Sequence, residues 1–294
     1  MSAQTFAEFY RAKKPVISFE VFPPKTDAAY DNLRQILPEL VALKPDFMTV
    51  TYGAFGSTQE RTLEIARLIQ DKYGLPTACH LTCVGSSRSD LDKILSDFEK
   101  AGIKNIVALR GDPPQGQTAF VPPADGYSHA DQLVRHIRDR ESSGGTRFGI
   151  VVAGYPEKHV EAPDLQTDML NLKRKVEAGA DGVVTQLFYE NDFFFRFQDS
   201  MQKLGVHVPI IPGLLPVLSA KQIMRITSLC GSCLPKGLMA ELELAGDDAD
   251  KAEAIGVKQC VAQAKELIAR GVPGIHFYVL NKSSHMKQIM ASLR

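Results

Sequence analysis

One carboxylate stands at the end of the first apolar run of the chain. The run Val16–Val21 is almost wholly apolar, as in a buried parallel strand, and Glu20 lies near its carboxyl end. The prolines that follow end this strand because proline has no N–H to give to a sheet. A carboxylate fixed at a strand end, with Phe19 and Phe22 beside it and a stiff turn after it, is a common arrangement for a catalytic group. The alternative is a strand-end glutamate that points into solvent.

Further polar side chains recur where later apolar runs end. They are Thr51, Tyr52, His80, Thr82, the segment Arg110–Pro114, Tyr155, Glu157, His159, Thr185, Gln186, His276, Tyr278, Asn281 and Lys282. This set holds few acids, several neutral hydrogen-bonding groups and several aromatic rings. Such a set suits a flat heteroaromatic ligand that is held by hydrogen bonds and stacking.

The elements that must position these side chains alternate between strand and helix. Strands are predicted at 16–21, 47–51, 77–82, 105–109, 148–153, 182–187, 208–211 and 275–279, and helices at 28–43, 58–73, 89–101, 129–141, 165–178 and 192–204. Repeated strand–helix units predict a parallel sheet, and this number of units predicts an α/β fold of the (β/α)₈ TIM-barrel type. A doubly wound open sheet is the alternative, although no G-x-G-x-x-G follows the first strand. In a barrel all strand carboxyl ends meet on one face, where ligands bind.

Two stretches depart from the regular spacing. Gly111–Ser128 is a long loop rich in proline and glycine, and long loops in compact domains are usually functional. Gly213–Gly271 holds two or three extra helices between the seventh and eighth strands. Neither stretch has the composition of a flexible linker, so the prediction is a single catalytic domain over 1–294.

Composition excludes several classes of function. The 34 basic and 34 acidic residues balance to a net charge of +0, so no overall field attracts nucleic acid or acidic lipid. No run of about 18 apolar residues predicts a membrane span, and the first residues do not form a signal peptide. The five cysteines are too few for a disulfide framework in a chain of this length, which favours the cytoplasm.

Two cysteine patterns raise the question of a metal site. Cys79 and His80 are adjacent on a predicted strand, so their side chains point to opposite faces. Cys230 and Cys233 have a redox or zinc-like spacing but no second pair nearby. We therefore expect no metal site.

Eight motifs in order along the chain resemble the 5,10-methylenetetrahydrofolate reductases. They are Ser18–Lys25, Leu109–Pro114, Tyr155–His159, Asn171–Val176, Ala178–Asp181, Thr185–Gln186, Ile210–Pro216 and Gly274–Asn281. Each motif alone is weak, but eight in order over essentially the whole chain are specific. The chain is similar to the short bacterial type, without the regulatory domain of the animal enzymes.

The resemblance implies a barrel that binds FAD without a Rossmann domain. NADH or NADPH would reduce the flavin, and methylenetetrahydrofolate would then bind at the same flavin face and be reduced to 5-methyltetrahydrofolate, with ping-pong kinetics. The family tendency implies a homo-oligomer.

The resemblance also implies roles for individual residues. Glu20 would be the general acid that protonates the nitrogen at position 10, with a pKa that desolvation by its apolar strand and by Phe19 and Phe22 raises toward neutrality. Asp112 would bind the pterin and stabilise the developing cation. Gln186, Tyr278 and Lys282 would bind substrate beside them. FAD would contact Thr51, His80, Leu109, Arg110, Gly111, Asp112, His129, Ala130, Tyr155, His159, Asp168, Asn171 and Lys175.

Several of these assignments have alternatives. Lys282 stands where the family pattern has arginine, and lysine lacks the bidentate fork. Lys175 could be a solvated helix lysine, and His80 a hydrogen-bonded core histidine. At the level of the whole chain, the alternatives are a barrel lyase or isomerase that acts on sugar phosphates and a flavin or pterin carrier without activity. The former needs a phosphate cradle after strands seven and eight.

Overall fold

The computed structural model describes residues 4–11, 14–52, 57–113 and 120–294. Pro114, the end of the predicted segment Arg110–Pro114, lies outside the described residues, as does Gly53, which follows Tyr52 at the end of the second predicted strand. So do 115–119 of the predicted long loop and 1–3 and 12–13 of the N-terminal segment.

Parallel strands form the sheet at the centre of the molecule. They are β1 (Val16–Val21), β2 (Phe47–Val50), β3 (Thr77–Thr82), β4 (Asn105–Leu109), β5 (Gly149–Gly154), β6 (Gly182–Thr185), β7 (Ile210–Ile211), β8 (Gly213–Leu214) and β9 (Gly274–Tyr278). The strand order is β7-β6-β5-β4-β3-β2-β1-β9-β8, with every pairing parallel. The predicted barrel fold is therefore confirmed.

The seventh barrel strand is divided into two short strands. Pro212 separates β7 from β8; β7 pairs with β6 and β8 pairs with β9. Proline cannot donate to a ladder, but its carbonyl accepts the His276 N–H at 3.0 Å. The barrel thus closes through one divided strand, whose first half pairs with β6 and whose second half pairs with β9. The strand predicted at 208–211 covers β7 but not the second half, β8.

Helices surround the sheet. They are α1 (Phe6–Tyr10), α2 (Asp27–Ala42), α3 (Ser57–Tyr73), α4 (Arg88–Lys100), α5 (Ala130–Ser142), α6 (Leu165–Glu177), α7 (Asn191–Lys203), α8 (Ala220–Cys230), α9 (Lys236–Ala245), α10 (Ala249–Ala269) and α11 (Ser284–Leu293). The helices α8, α9 and α10 confirm the extra helices predicted between the seventh and eighth barrel strands. No predicted helix covers α1 or α11.

Strand alternation separates an apolar outer layer from a mixed interior. Phe19 and Val21 of β1 pack outward, in one cluster with Leu33 and Leu37 of α2. Glu20, between them in sequence, points inward and lines a cavity. A second cluster, to which α1 contributes Phe6, Phe9 and Tyr10, fills the lower interior. Asn105 holds α1 at this position, because its Oδ1 accepts a hydrogen bond from the Phe6 N–H at 2.7 Å.

No helix among the described residues is long and apolar enough to cross a membrane.

Candidate active site

A cavity of about 650 Å³ opens at the carboxyl ends of the strands. That volume is typical of a pocket for a cofactor or a drug-sized ligand. Its lining includes every residue to which the resemblance gave a role except Lys282, namely Glu20, Thr51, His80, Leu109, Arg110, Gly111, Asp112, His129, Ala130, Tyr155, His159, Asp168, Asn171, Lys175, Gln186 and Tyr278. Residues that are up to about 260 positions apart in sequence are therefore brought to one place, as the barrel prediction required.

Glu20 is the centre of a polar network on the inner wall. Its Oε2 accepts a hydrogen bond from Thr49 Oγ1 at 3.1 Å. The same oxygen lies 3.0 Å from His80 Nε2 and 3.1 Å from His276 Nε2. The Glu20 side chain is 15% exposed, so the alternative interpretation of a glutamate that points into solvent was wrong. The exposed part of the side chain is accessible to a ligand in the cavity. Among the described residues its second oxygen, Oε1, has no hydrogen-bond partner.

The two histidines reverse the predicted pKa shift of Glu20. Burial by itself raises the pKa of the carboxyl, but the charge of His80 and the charge and hydrogen bond of His276 offset it, and the pKa lies below its usual range. The prediction of a raised pKa was therefore wrong. Its basis was the neighbouring phenylalanines, but Phe19 faces outward and Phe22 is 43% exposed at the surface. The groups that touch the carboxylate come from β3 and β9.

A cationic region lies on the opposite side of the cavity, on α6 and after β4. Lys175 donates from Nζ to Ala153 O, and burial lowers its pKa to about 8 against the raising effect of nearby Asp168. It is therefore not a solvated surface lysine. The adjacent residue Arg174 donates to Oδ1 of Asn171, about one helical turn earlier, and both line the cavity. Sequence analysis missed Arg174 because an exposed arginine on a charged helix carries no signal of its own.

Arg110 and its neighbours form the rim between these two regions. The Arg110 guanidinium makes a bidentate ion pair with Glu161, one contact being 2.8 Å. Gly111 has φ +89, and a Cβ there would lie 2.6 Å from Val84 Cγ1, so this turn requires glycine. Asp112 follows it with an exposed side chain. The rim therefore presents the Arg110–Glu161 ion pair and the exposed carboxylate of Asp112 at the cavity mouth.

Tyr155 and His159, which are half-buried, and Asp168, which is buried, form another wall of the cavity. The rings of Tyr155 and His159 meet edge to face at 4.6 Å. Asp168 Oδ2 accepts the His159 N–H at 3.0 Å, which fixes the loop after β5 to α6. Burial lowers the pKa of the His159 imidazole and favours its neutral form. This wall offers flat apolar surface with a few fixed polar groups.

Gln186 and Tyr278 lie where the barrel ring closes. Tyr278 donates from its hydroxyl to Thr185 O at 2.7 Å, and Thr185 Oγ1 accepts the Gly213 N–H at 3.0 Å. These bonds join β9, β6 and β8 across the divided seventh strand. Gln186 Oε1 accepts the Leu187 N–H at 2.9 Å, which leaves its amide nitrogen as the group available to a ligand.

The cavity lining does not include the predicted strand-end residues Tyr52, Thr82, Pro113, Glu157, Thr185 and Asn281. Lys282 is the one residue with a role implied by the resemblance that does not line it either. It lies exposed in the turn after β9, and its N–H donates to Val279 O at 3.0 Å. Conversely, Thr49, Glu161 and Arg174 line the cavity although the sequence analysis did not select them, and His276, noted at its strand end, was given no role. For Thr49 and His276 an inward-facing strand position was the available signal.

The described residues hold no cluster of three or more histidine, cysteine, aspartate or glutamate side chains suited to a metal ion. Cys79 packs in the outer apolar layer, whereas His80 faces the cavity. Cys230 ends α8, and Cys233 is exposed beyond it.

Comparison with known proteins identifies the family. The sequence profile of the methylenetetrahydrofolate reductase family matches residues 5–294. The chain belongs to this family. The 5,10-methylenetetrahydrofolate reductase of Escherichia coli (strain K12) is 38% identical over 267 residues, which are 91% of this chain and 86% of that protein.

Plant relatives are similar over one part of their length. The methylenetetrahydrofolate reductase (NADH) 1 of Arabidopsis thaliana is 40% identical over 285 residues, 94% of this chain and 48% of the relative. The probable methylenetetrahydrofolate reductase (NADH) of Oryza sativa subsp. japonica is 39% identical over 289 residues, again 48% of the relative. The chain thus spans about half the length of these plant proteins.

Solved structures share the fold. A protein from Clostridium thermocellum described as binding two copies of 5-methyl-5,6,7,8-tetrahydrofolic acid superposes with a TM-score of 0.61 at 15% identity, covering 97% of this chain and 96% of its own. A 2,3-dimethylmalate lyase superposes with a TM-score of 0.53 at 10% identity, covering 98% of this chain and 83% of its own. At these identities the likeness concerns the barrel alone.

Proposed function

We propose that this chain reduces 5,10-methylenetetrahydrofolate to 5-methyltetrahydrofolate, with NADH as reductant and FAD as a bound cofactor. The observation that carries the proposal is the single cavity that places a carboxylate–histidine network opposite a cationic region. The family supports the reaction, and the names of the plant relatives favour NADH over NADPH. A homo-oligomer in the cytoplasm stays a prediction.

The side chains that line the cavity match the chemical groups of FAD, which are a diphosphate and a flat ring system. Lys175, Arg174 and Arg110 supply the positive charge that a diphosphate needs. Tyr155 and Leu109 supply flat and apolar surface for a ring system, and a cavity of about 650 Å³ is large enough for an extended ligand. FAD bound there would accept a hydride from the nicotinamide and pass it to the folate.

Glu20 is the proton donor in this proposal. The folate substrate is an unreactive five-membered aminal, so a proton must reach the nitrogen at position 10 before the ring opens to an iminium that accepts hydride. The pKa of Glu20 lies below its usual range, because the effects of His80 and His276 outweigh the raising effect of burial, so the resting carboxyl is ionised and must receive the transferred proton from a neighbour. His80 and His276 stand within 3.0 and 3.1 Å to supply it.

Asp112 and Gln186 orient the pterin. The exposed Asp112 carboxylate accepts hydrogen bonds from the donor edge of the pterin, and its charge stabilises the cation that forms. The free amide nitrogen of Gln186 donates to a ring or carbonyl acceptor. Both residues line the same cavity as Glu20, so one ligand can meet all three.

Glu20→Gln is the decisive variant. Purified wild-type protein should be yellow from bound flavin and should bleach when NADH reduces that flavin. The Glu20→Gln variant should keep flavin reduction, because glutamine has the shape of glutamate and can also form hydrogen bonds. It should lose reduction of the folate by roughly a hundredfold or more, the usual contribution of a general acid. Stopped-flow measurement of each half-reaction checks both. Glu99→Gln is the matched control, since Glu99 pairs with Arg140 on the outer layer.

The outcomes separate the alternatives. Loss of neither half-reaction in Glu20→Gln would remove Glu20 as the acid. Wild-type protein that binds flavin but oxidises no NADH, even with menadione as acceptor, would be a carrier. A sugar-phosphate lyase or isomerase has less support, because the cavity cations lie after β4 and on α6, not after strands seven and eight.

A further inference from the structure

An aromatic ring at the cavity has no role in the proposed mechanism. Phe22 is 43% exposed, and among the described residues it is the one large apolar side chain that is exposed and also lines the cavity. We propose that Phe22 is a substrate-binding residue, whose ring stacks on the aryl ring that the folate carries on its nitrogen at position 10. Asn281 is the positioning residue that fixes it. This inference rests on the proposed function.

The place of Phe22 relative to Glu20 is the first argument. Both side chains line the cavity, and two residues of extended chain span about 7 Å. Phe22 follows the last residue of β1, so it lies nearer than Glu20 to the open end of the barrel. In the folate, the nitrogen that receives the proton is bonded directly to the aryl ring. A substrate whose nitrogen meets Glu20 and whose pterin meets Asp112 and Gln186 therefore directs its aryl ring toward Phe22.

The side chain of Asn281 fixes the backbone of Phe22. Its Oδ1 accepts the Phe22 N–H at 3.0 Å, and its Nδ2 donates to Phe22 O at 2.8 Å. The strands β1 and β9 are register partners as far as Glu20 and Tyr278, so the amide of Asn281 takes the place of a further β9 residue beyond the end of the ladder. Both polar groups of the Phe22 backbone are thereby satisfied, and the chain is held where the ring meets the cavity.

The turn that presents Asn281 has an uncommon backbone. Lys282 N–H donates to Val279 O at 3.0 Å, and the two central residues, Leu280 and Asn281, have φ of 51 and 53. Positive φ at both central residues is typical of a type I′ turn, where asparagine is common but leucine is not. Such backbone conformations are costly and are found mainly at functional sites. Leu280 also lines the cavity, so the turn contributes one residue to the cavity wall and one to the support of Phe22.

Equilibrium binding separates stacking on the aryl ring from contact with the pterin. The probes are 5-methyltetrahydrofolate and 6-methyltetrahydropterin, a reduced pterin without the aryl group. They are titrated by calorimetry into the full chain with FAD that dithionite keeps reduced, so that no hydride is exchanged. Phe22→Leu should weaken binding of the folate by roughly fivefold, as loss of one aromatic pair, and should leave binding of the pterin unchanged. Phe22→Tyr, which keeps the ring, should bind both probes as the wild type does.

Variants of Asn281 test the positioning role. Asn281→Gly tolerates the positive φ but removes both hydrogen bonds to Phe22, so it should weaken folate binding and not pterin binding. In the Phe22→Leu background Asn281→Gly should cause no further loss, because both changes remove the same interaction. In turnover, either variant should raise KM for the folate and leave kcat unchanged. Phe193→Leu is the control for loss of a ring, since Phe193 belongs to α7 and does not line the cavity.

Two results would overturn the inference: a Phe22→Leu variant that loses affinity for both probes equally or for neither, or wild-type protein that binds the folate no more tightly than the pterin. The second result decides even if a variant does not fold. Failure of the proposed function is seen separately, as wild-type protein that binds the folate but transfers no hydride to it, and it leaves the measured affinities valid.

Discussion

His285 predicts an acid sensitivity of stability that is independent of catalysis. It lies in α11, is 0% exposed, and neither of its ring nitrogens has a hydrogen-bond partner among the described residues. Burial, with a smaller effect of Lys282, lowers its pKa from 6.5 to about 4. Between these values the unfolded chain binds a proton at His285 that the folded chain does not bind, so stability falls as pH falls from about 6.5 toward about 4.

The size of the effect follows from the two pKa values. Each pKa unit corresponds to about 1.4 kcal/mol, so from about pH 7.5 to about pH 5 this one group removes about 2 kcal/mol from the free energy of unfolding. His285→Leu keeps an apolar side chain in the same place and has no proton to bind. The variant should therefore lose about 2 kcal/mol less than the wild type over this range.

Urea unfolding at both pH values, followed by circular dichroism at fixed protein and flavin concentration, measures this difference. His207→Leu is the control, because His207 is exposed and should leave the wild-type pH dependence in place. Parallel pH dependences for His285→Leu and the wild type would refute the reasoning, since they would show that the buried imidazole is protonated in the folded state.

Two further predictions concern the barrel seam and the cationic region. Gly213→Ala should lower the free energy of unfolding by about 2 kcal/mol, because the new Cβ would overlap Thr185 O; Gly237→Ala, where nothing lies within 4 Å, is the control in the same denaturation assay. Lys175→Gln should weaken FAD binding by roughly tenfold, as loss of one charge-assisted contact. Because the pKa of Lys175 is about 8, wild-type affinity should fall as pH rises through that value while the affinity of the variant does not. Fluorescence titration measures both, with Lys173→Gln as control because Lys173 pairs with Glu177 on its helix; equal affinities for Lys175→Gln and the wild type would contradict the assignment.

The sequence by itself determined the order of the elements and the face on which the site forms. Apolar runs and helix-ending glycines placed the strands within a few residues, since burial of parallel strands demands continuous apolar stretches. Polar residues at the ends of those runs then had to meet, because a closed parallel barrel brings all carboxyl ends to one rim. The motifs were sufficient to indicate the family that the comparisons show.

Only the tertiary structure decided which groups touch. Glu20 has phenylalanine neighbours in sequence, but the alternation of β1 turns Phe19 away and the barrel brings His80 and His276 to the carboxylate, so the pKa shift has the opposite sign to the prediction. The division of the seventh strand at Pro212 likewise depends on two different neighbours, β6 and β9. A pKa and a register both arise from contacts between distant segments, and local sequence does not contain them.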